Sequence, residues 1–195
     1  MVKHRNLDHE KILTAARAIA CEDGFQQLTF QTLAKRLGIR SQSLYNYYDN
    51  IDGVIEAMGT DFMSALYAQL IEASTGLAGR DVLAAYAENA HAFFQSHGAL
   101  VQLFYYVHHY PEKSPFVQAT GKVIQLLKRL ISHVHLAHMS HEAYVQALIS
   151  SVLGFSVLEV MGFLPPDPDQ ADSYAQLVQL YLNEVVADPT PVSAV

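Results

Sequence analysis

The sequence predicts an all-α protein: an N-terminal three-helix helix-turn-helix domain followed by a larger helical domain, about nine helices in total. Three observations carry this. Apolar residues recur at three and four positions along nearly the whole chain. The breaks between periodic stretches fall at glycine, proline and serine clusters, and no convincing run of alternating strand residues separates them. With 195 residues and 51% hydrophobic content, the chain can form one or two globular domains with a core of useful size.

In the first helix, residues 9 to 23, Ile12, Leu13, Ala16, Ile19 and Ala20 form one stripe, with Asp8 as cap and Gly24 as stop. Cys21 lies on the stripe side, where a small buried hydrophobe is expected. The second helix is capped by Thr29, turns Phe30, Leu33, Ala34 and Leu37 to one face, and ends at Gly38, whose left-handed backbone reverses the chain while Ile39 tucks beneath. A third helix over residues 41 to 48 points Leu44 and Tyr48 inward. Ser41, Gln42, Ser43, Tyr45, Asn46 and Tyr47 are left outside.

Those outward residues suit DNA. The major groove, about 12 Å wide, admits one helix, and hydroxyl and amide groups pair there with base edges and phosphates. Gln42 and Asn46 can each meet an adenine with both amide groups, and Tyr45 and Tyr47 reach phosphate or thymine methyls. The alternative at this level is a solvated helix in an ordinary bundle. Charge favours the first reading: residues 1 to 48 hold seven Lys and Arg (Lys3, Arg5, Lys11, Arg17, Lys35, Arg36, Arg40) against four acids (Asp8, Glu10, Glu22, Asp23), a net of +3, and the remainder carries 5 bases against 15 acids, a net of −10. Phosphate contact supplies most non-specific DNA affinity, so the basic end marks where a nucleic acid would sit, with the tail VKHR along its backbone.

This run of residues resembles the DNA-binding domain of the tetracycline-repressor (TetR/AcrR) family. Gly24-Phe25 after the first helix, Thr29, Leu33-Ala34, Gly38-Ile39 and Leu44-Tyr45-Asn46-Tyr47-Tyr48 each match its pattern, over roughly residues 8 to 58. Two positions depart from it: Arg40 stands where the family commonly has Ser or Thr, and Ile51 where it has a phosphate-binding Lys. Arg40 can restore that charge from the other end of the recognition helix. The resemblance implies that Thr29 and Gln31 lie near phosphates or the groove edge, with Lys35 and Arg36 as further candidates.

Beyond the motif, helices are expected at about 50 to 74, 80 to 97, 99 to 110, 115 to 138, 141 to 163 and 170 to 187, with DPTPVSAV as a frayed tail. The domain boundary is placed between residues 50 and 51, with 51 to 195 forming a ligand-binding and dimerisation domain. The last two helices are apolar on more than one face, so a second copy is the natural lid. Ser151, Gly154, Phe155, Leu158, Tyr174, Val178, Tyr181 and Val185 are the candidate interface residues. The alternative is a central helix buried within a monomer. Such an isologous pair would set two recognition helices roughly 34 to 36 Å apart, one DNA turn, and the resemblance implies the same homodimer on a palindromic double-stranded operator.

The middle of the chain is rich in rings with polar tips, first of all as core. Tyr67, Tyr86, Phe93, Phe104, Tyr105, His108, Phe155 and Glu159 are candidates to line a cavity for a small, largely apolar or aromatic effector. His133, His135, His138 and His141 hint at metal, yet no cysteine or carboxylate completes a set, and a solvated or pH-responsive cluster at a helix end explains them better. No cofactor and no metal are expected. Nor is catalysis: no nucleophile triad, glycine-rich phosphate loop or paired carboxylates stand out. The single Cys21 and the absence of a hydrophobic signal core point to a reduced cytoplasm. Residues 143 to 164 are apolar, but Gln146, Glu159 and their serines favour a buried protein helix over a membrane partner. The chain therefore reads as a transcriptional regulator, a repressor released by its effector. The alternative is a small-molecule binding protein or all-helical enzyme that does not use its helix-turn-helix for DNA.

Overall fold

The computed structural model describes residues 7–164 and 173–186. Seven α-helices are found among them: α1 (His9–Glu22), α2 (Phe30–Leu37), α3 (Ile51–Ser74), α4 (Gly79–His97), α5 (Pro115–Ile131), α6 (His141–Val160) and α7 (Ser173–Leu182). The all-α expectation holds. The tails VKHR and DPTPVSAV, and the first residues of the last expected helix, lie outside the described residues.

Two compact units emerge from the packing, Met1–Ala65 with His97–Thr120 and Leu66–Ser96 with Gly121–Val195. The first therefore takes in more than the helix-turn-helix segment. Its core joins Ile12, Ala16, Ile19, Leu33 and Leu44 to Val54, Met58 and Phe62 of α3, and to Leu100, Leu103 and Phe116. The ring of Phe25 packs on Tyr106 at 5.4 Å, and the Tyr110 hydroxyl donates to the Asp52 carbonyl at 2.8 Å. Gly59 is required by its neighbour: a Cβ there would stand 2.5 Å from the fully buried Phe116 ring.

The second unit is held by Leu66, Leu70, Leu83, Phe93, Leu127, Tyr144 and Leu148, all nearly without solvent contact. Buried rings keep their polar tips satisfied, as burial requires. Tyr86 donates to the Val123 carbonyl, and Tyr144 to that of Tyr181. Burial pushes the hydroxyl pKa of Tyr86, Tyr144 and Tyr174 well above the ordinary tyrosine value, and does the same for Tyr110 in the first unit. Helix α6 is long and apolar enough to cross a membrane by composition, with a mean hydropathy of 1.6. In the structure Tyr144, Val145, Leu148, Val152 and Ser156 on it are buried against the chain.

Several local expectations are corrected. Cys21 is exposed, because the stripe of α1 is already complete at Ala20 and the next residue turns away by about 100°. Phe30 is half-buried rather than core, its ring edge-on to Tyr45. The expected helix at 99 to 110 is instead two stretches of 3₁₀ turn, Gly98–Tyr105 and Val107–His109. Its bonds run three residues back, as from Tyr106 N to Leu103 O and from His109 N to Tyr106 O.

The helix expected to reach residue 138 stops at Ile131. Beyond it His133, Val134, His135 and Leu136 alternate with Val134 buried, and this short extended piece pairs with residues 184 to 186. Ala137 N donates to Glu184 O at 2.8 Å and Val186 N to His135 O at 2.9 Å, around an antiparallel bridge between Leu136 and Val185. The four histidines therefore do not share a helical face. His138 faces Glu184, the His141 ring meets the Val134 carbonyl, and no group of three metal-ligating side chains occurs among the described residues.

Candidate nucleic-acid interface

Local chemistry fixes the site. Asp8 caps α1 by accepting from Lys11 N at 2.8 Å, and its hydrogen bonds from Lys11 hold its carboxyl below the usual range. Thr29 and Thr32 form a reciprocal box at the start of α2: Thr32 N donates to Thr29 Oγ1 at 3.1 Å, and Thr29 N to Thr32 Oγ1 at 3.0 Å. Such caps satisfy amides that the first helical turn leaves open. At the other end Gly38 adopts φ 68°, a left-handed conformation that side chains resist. Ile39 N then returns to Ala34 O at 3.0 Å, closing the turn.

The segment that follows is a 3₁₀ turn over Ser41–Asn46 rather than the α-helix expected. With three residues per turn, side chains three apart align. Leu44, without solvent contact, is the anchor, and Ser41 and Tyr47 share its side. Tyr47 accordingly turns partly inward: its hydroxyl donates to the Leu7 carbonyl at 2.6 Å and its ring meets His9 edge-on at 5.2 Å. Tyr48 also leans on His9. Burial raises its hydroxyl pKa, with Asp61 adding to the shift and Arg17 opposing it.

Gln42, Tyr45 and Asn46 are left exposed, with Ser41 and Ser43 half-buried. Tyr45 is 54% exposed, yet its ring is held by Phe30 at 4.9 Å. Thr29 and Gln31 are exposed at the start of α2. Three cations in this part of the chain are engaged: Lys11 with Asp8, Arg17 of α1 with Asp61 of α3, and Arg36 with Glu22. Among the described residues of this segment, Lys35 and Arg40 are in no ion pair. Both are exposed and flank the turn between α2 and Ser41. At Ile51, where a cation was missing by comparison with the pattern, Asn50 starts α3 by accepting from Gly53 N at 3.0 Å.

Of the eight effector candidates, Tyr67, Tyr86, Phe93, Phe155 and Glu159 belong to the second unit and Phe104, Tyr105 and His108 to the first. Tyr86 and Phe93 are buried, whereas Tyr105 is 62% exposed and His108 is also exposed. Phe104 packs edge-on to Phe62, and Tyr67 accepts from Arg129. Phe155 and Glu159 come together around His91, which sequence periodicity passed over. The His91 ring stacks on Tyr174 at 3.7 Å, its Nε2 meets Glu159, and Gln95 donates to the same carboxylate at 3.0 Å. Four surface clefts in the chain are lined by other residues than these eight.

The interface candidates divide in a similar way. Gly154 and Leu158 are exposed on α6, and Phe155 is half-buried. Tyr174 donates to the Ala87 carbonyl at 2.7 Å, and Ser151 meets the Tyr181 hydroxyl, which also donates to the Ala147 carbonyl. Val178 and Val185 are buried within their own chain.

Comparison with known proteins bears on the family and the fold. Residues 12–58 match the family model for bacterial regulatory proteins of the tetR family, and residues 83–181 the tetracyclin repressor-like C-terminal domain. No curated protein matches the chain. Among solved structures, a Rhodococcus sp. RHA1 protein of unknown function is similar with a TM-score of 0.80 at 17% identity, covering 96% of this chain and 100% of that one. BioQ with its double-stranded DNA operator is similar with a TM-score of 0.64 at 19% identity, over 91% and 97% of the two chains. The ketosteroid transcriptional regulator KstR2 of Mycobacterium tuberculosis has a TM-score of 0.68 at 15% identity, over 94% and 97%. At such identities the likeness establishes the fold.

Proposed function

Since the chain belongs to the tetR family of bacterial regulatory proteins, we propose that it is a DNA-binding transcriptional regulator that acts as a homodimer in the cytoplasm, a repressor released by a small effector. The observation that carries the DNA reading is the exposed trio Gln42, Tyr45 and Asn46 on a turn anchored by Leu44, flanked by the unpaired Lys35 and Arg40. The trio supplies base-edge contacts, and the cations, with Thr29, Gln31, Ser41 and Ser43, hold phosphates. Tyr47 contributes chiefly by fixing the turn.

Dimerisation uses the exposed apolar residues of α6, of the turn that follows it and of α7. Leu158, Met161, Phe163 and Leu180 are 43 to 67% exposed, an apolar surface of the kind that marks a partner site. Gly154 lets the second copy approach closely. The largely apolar effector is taken up among the rings of the second unit, and α3, which contributes residues to both units, carries the response. A ligand shifts such an equilibrium only by its differential affinity for the two shapes. The domain boundary at 50/51 is then one of role: DNA before it, ligand and partner after it.

Gel shift of the full chain with DNA flanking its own gene, at several salt concentrations, tests this. Binding that falls steeply with salt on a palindromic site is expected. Absence of binding at low salt would favour the second reading, a ligand-binding protein or helical enzyme with an idle helix-turn-helix, which Ile51 in place of a cation supports.

A further inference from the structure

From residue 49 onward the chain has only Arg80, Lys113, Lys122, Lys128 and Arg129 as Lys or Arg, against fifteen acids. Two of those five line a single cleft. It lies wholly within the second unit, has a volume of about 460 Å³, and is bounded by the start of α4, the end of α5 and the extended piece at residues 133 to 135 with Val185 and Val186. Arg80, Arg129, His133 and His135 line it together with Leu77, Val82, Leu130, Val134, Val185 and Val186, and among the described residues no carboxylate is in its wall.

Its electrostatics are unusual for so acidic a unit. Among the described residues the ion pairs of this unit are His91 with Glu159, Lys128 with Glu142 and His138 with Glu184. Arg80 and Arg129 take part in none. Arg129 is instead steered by a neutral partner, donating to the Tyr67 hydroxyl at 3.2 Å. Two guanidinium groups without anions, facing one apolar cleft, leave a positive site that the chain's own described side chains do not neutralise.

We propose that this cleft binds a small monocarboxylate with an apolar tail. Guanidinium groups pair with carboxylates through two parallel hydrogen bonds and stay charged at every physiological pH. The leucine and valine walls then cover the tail, and the volume falls in the range of small-molecule sites. An inorganic anion would satisfy the arginines but leave the walls wet, and a neutral alcohol would fill the walls but leave the guanidinium groups without a partner. None of the eight candidate effector residues in the ring-rich middle lines this cleft, except that Tyr67 positions Arg129 from outside it. The inference does not rest on the DNA reading.

Calorimetric titration of the full chain with octanoate, octanol, octylammonium and inorganic phosphate tests it. Octanoate is expected to bind roughly ten- to hundredfold tighter than octanol, the worth of charged hydrogen bonds, and octylammonium and phosphate more weakly still. Replacing both arginines (R80Q with R129Q) should remove that preference, and the paired lysine variants (R80K with R129K) should keep part of it. Should the double variant fail to fold, R80Q alone changes an exposed side chain in no ion pair and should reduce octanoate affinity without altering octanol. Equal binding of octanoate and octanol, phosphate binding as tightly as octanoate, or unchanged octanoate affinity in the variants would each overturn the proposal. Occupation by the chain's own C-terminal segment would show as no octanoate binding and overturn it too. Gel shift on the same samples reports operator binding separately, so either reading can fail without the other.

Discussion

Tyr45 is exposed while its ring is braced by Phe30, and Tyr47, two residues on, gives its hydroxyl to the Leu7 carbonyl. The two should respond differently to substitution. Tyr45→Ala or Asn46→Ala is expected to weaken operator binding by about 1–3 kcal/mol with the dimer intact, checked by fluorescence anisotropy beside light scattering. Tyr47→Phe should lower stability by about 1 kcal/mol through the lost hydrogen bond, measured in urea melts, with a smaller effect on DNA. Lys35→Ala and Arg40→Ala should each reduce the slope of log affinity against log salt by roughly one. A slope unchanged in both variants would remove them from the phosphate contacts.

At the scale of elements, the turn between α2 and Ser41 depends on a few positions that sequence alone discloses. Thr29, Gly38 and Leu44 each have a distinct chemical signature, and each does in the structure what that signature implies. Gly38→Ala is expected to cost about 1–2 kcal/mol from the left-handed backbone. Gly59→Ala should cost about 1–3 kcal/mol by crowding Phe116, and thermal melts would check both. The 3₁₀ geometry at Ser41–Asn46 was not legible, because inward residues at 44 and 48 suit an α-helix and only tertiary packing selects the tighter winding that aligns Tyr47 with Leu44. The alternation of His133, Val134, His135 and Leu136 did carry a strand signal, masked by helical spacing on both sides. The His91 cluster was hidden for another reason: its members come from positions 91, 159 and 174, and no local period links them.

For the whole molecule, the five tyrosines whose hydroxyls are raised by burial, Tyr48, Tyr86, Tyr110, Tyr144 and Tyr174, set an alkaline limit. Above their ordinary pKa near 10, the unfolded chain loses protons that the folded chain keeps, so stability present below that pH declines as it rises. Melting temperature should fall above about pH 10 together with late tyrosinate absorbance; early absorbance with no change in melting would contradict the burial. Leu158→Glu with Leu180→Glu should yield monomers in light scattering while leaving the helical signal unchanged. Cys21 adds a practical consequence. As the sole cysteine, exposed on α1 and with a thiol pKa raised by partial burial and Glu22, it accepts one probe per chain under mildly alkaline conditions, with no engineered mutation. A spin label there would turn a pair of chains into its own ruler, reporting in solution how far apart the two reading heads stand before and after a small molecule is added.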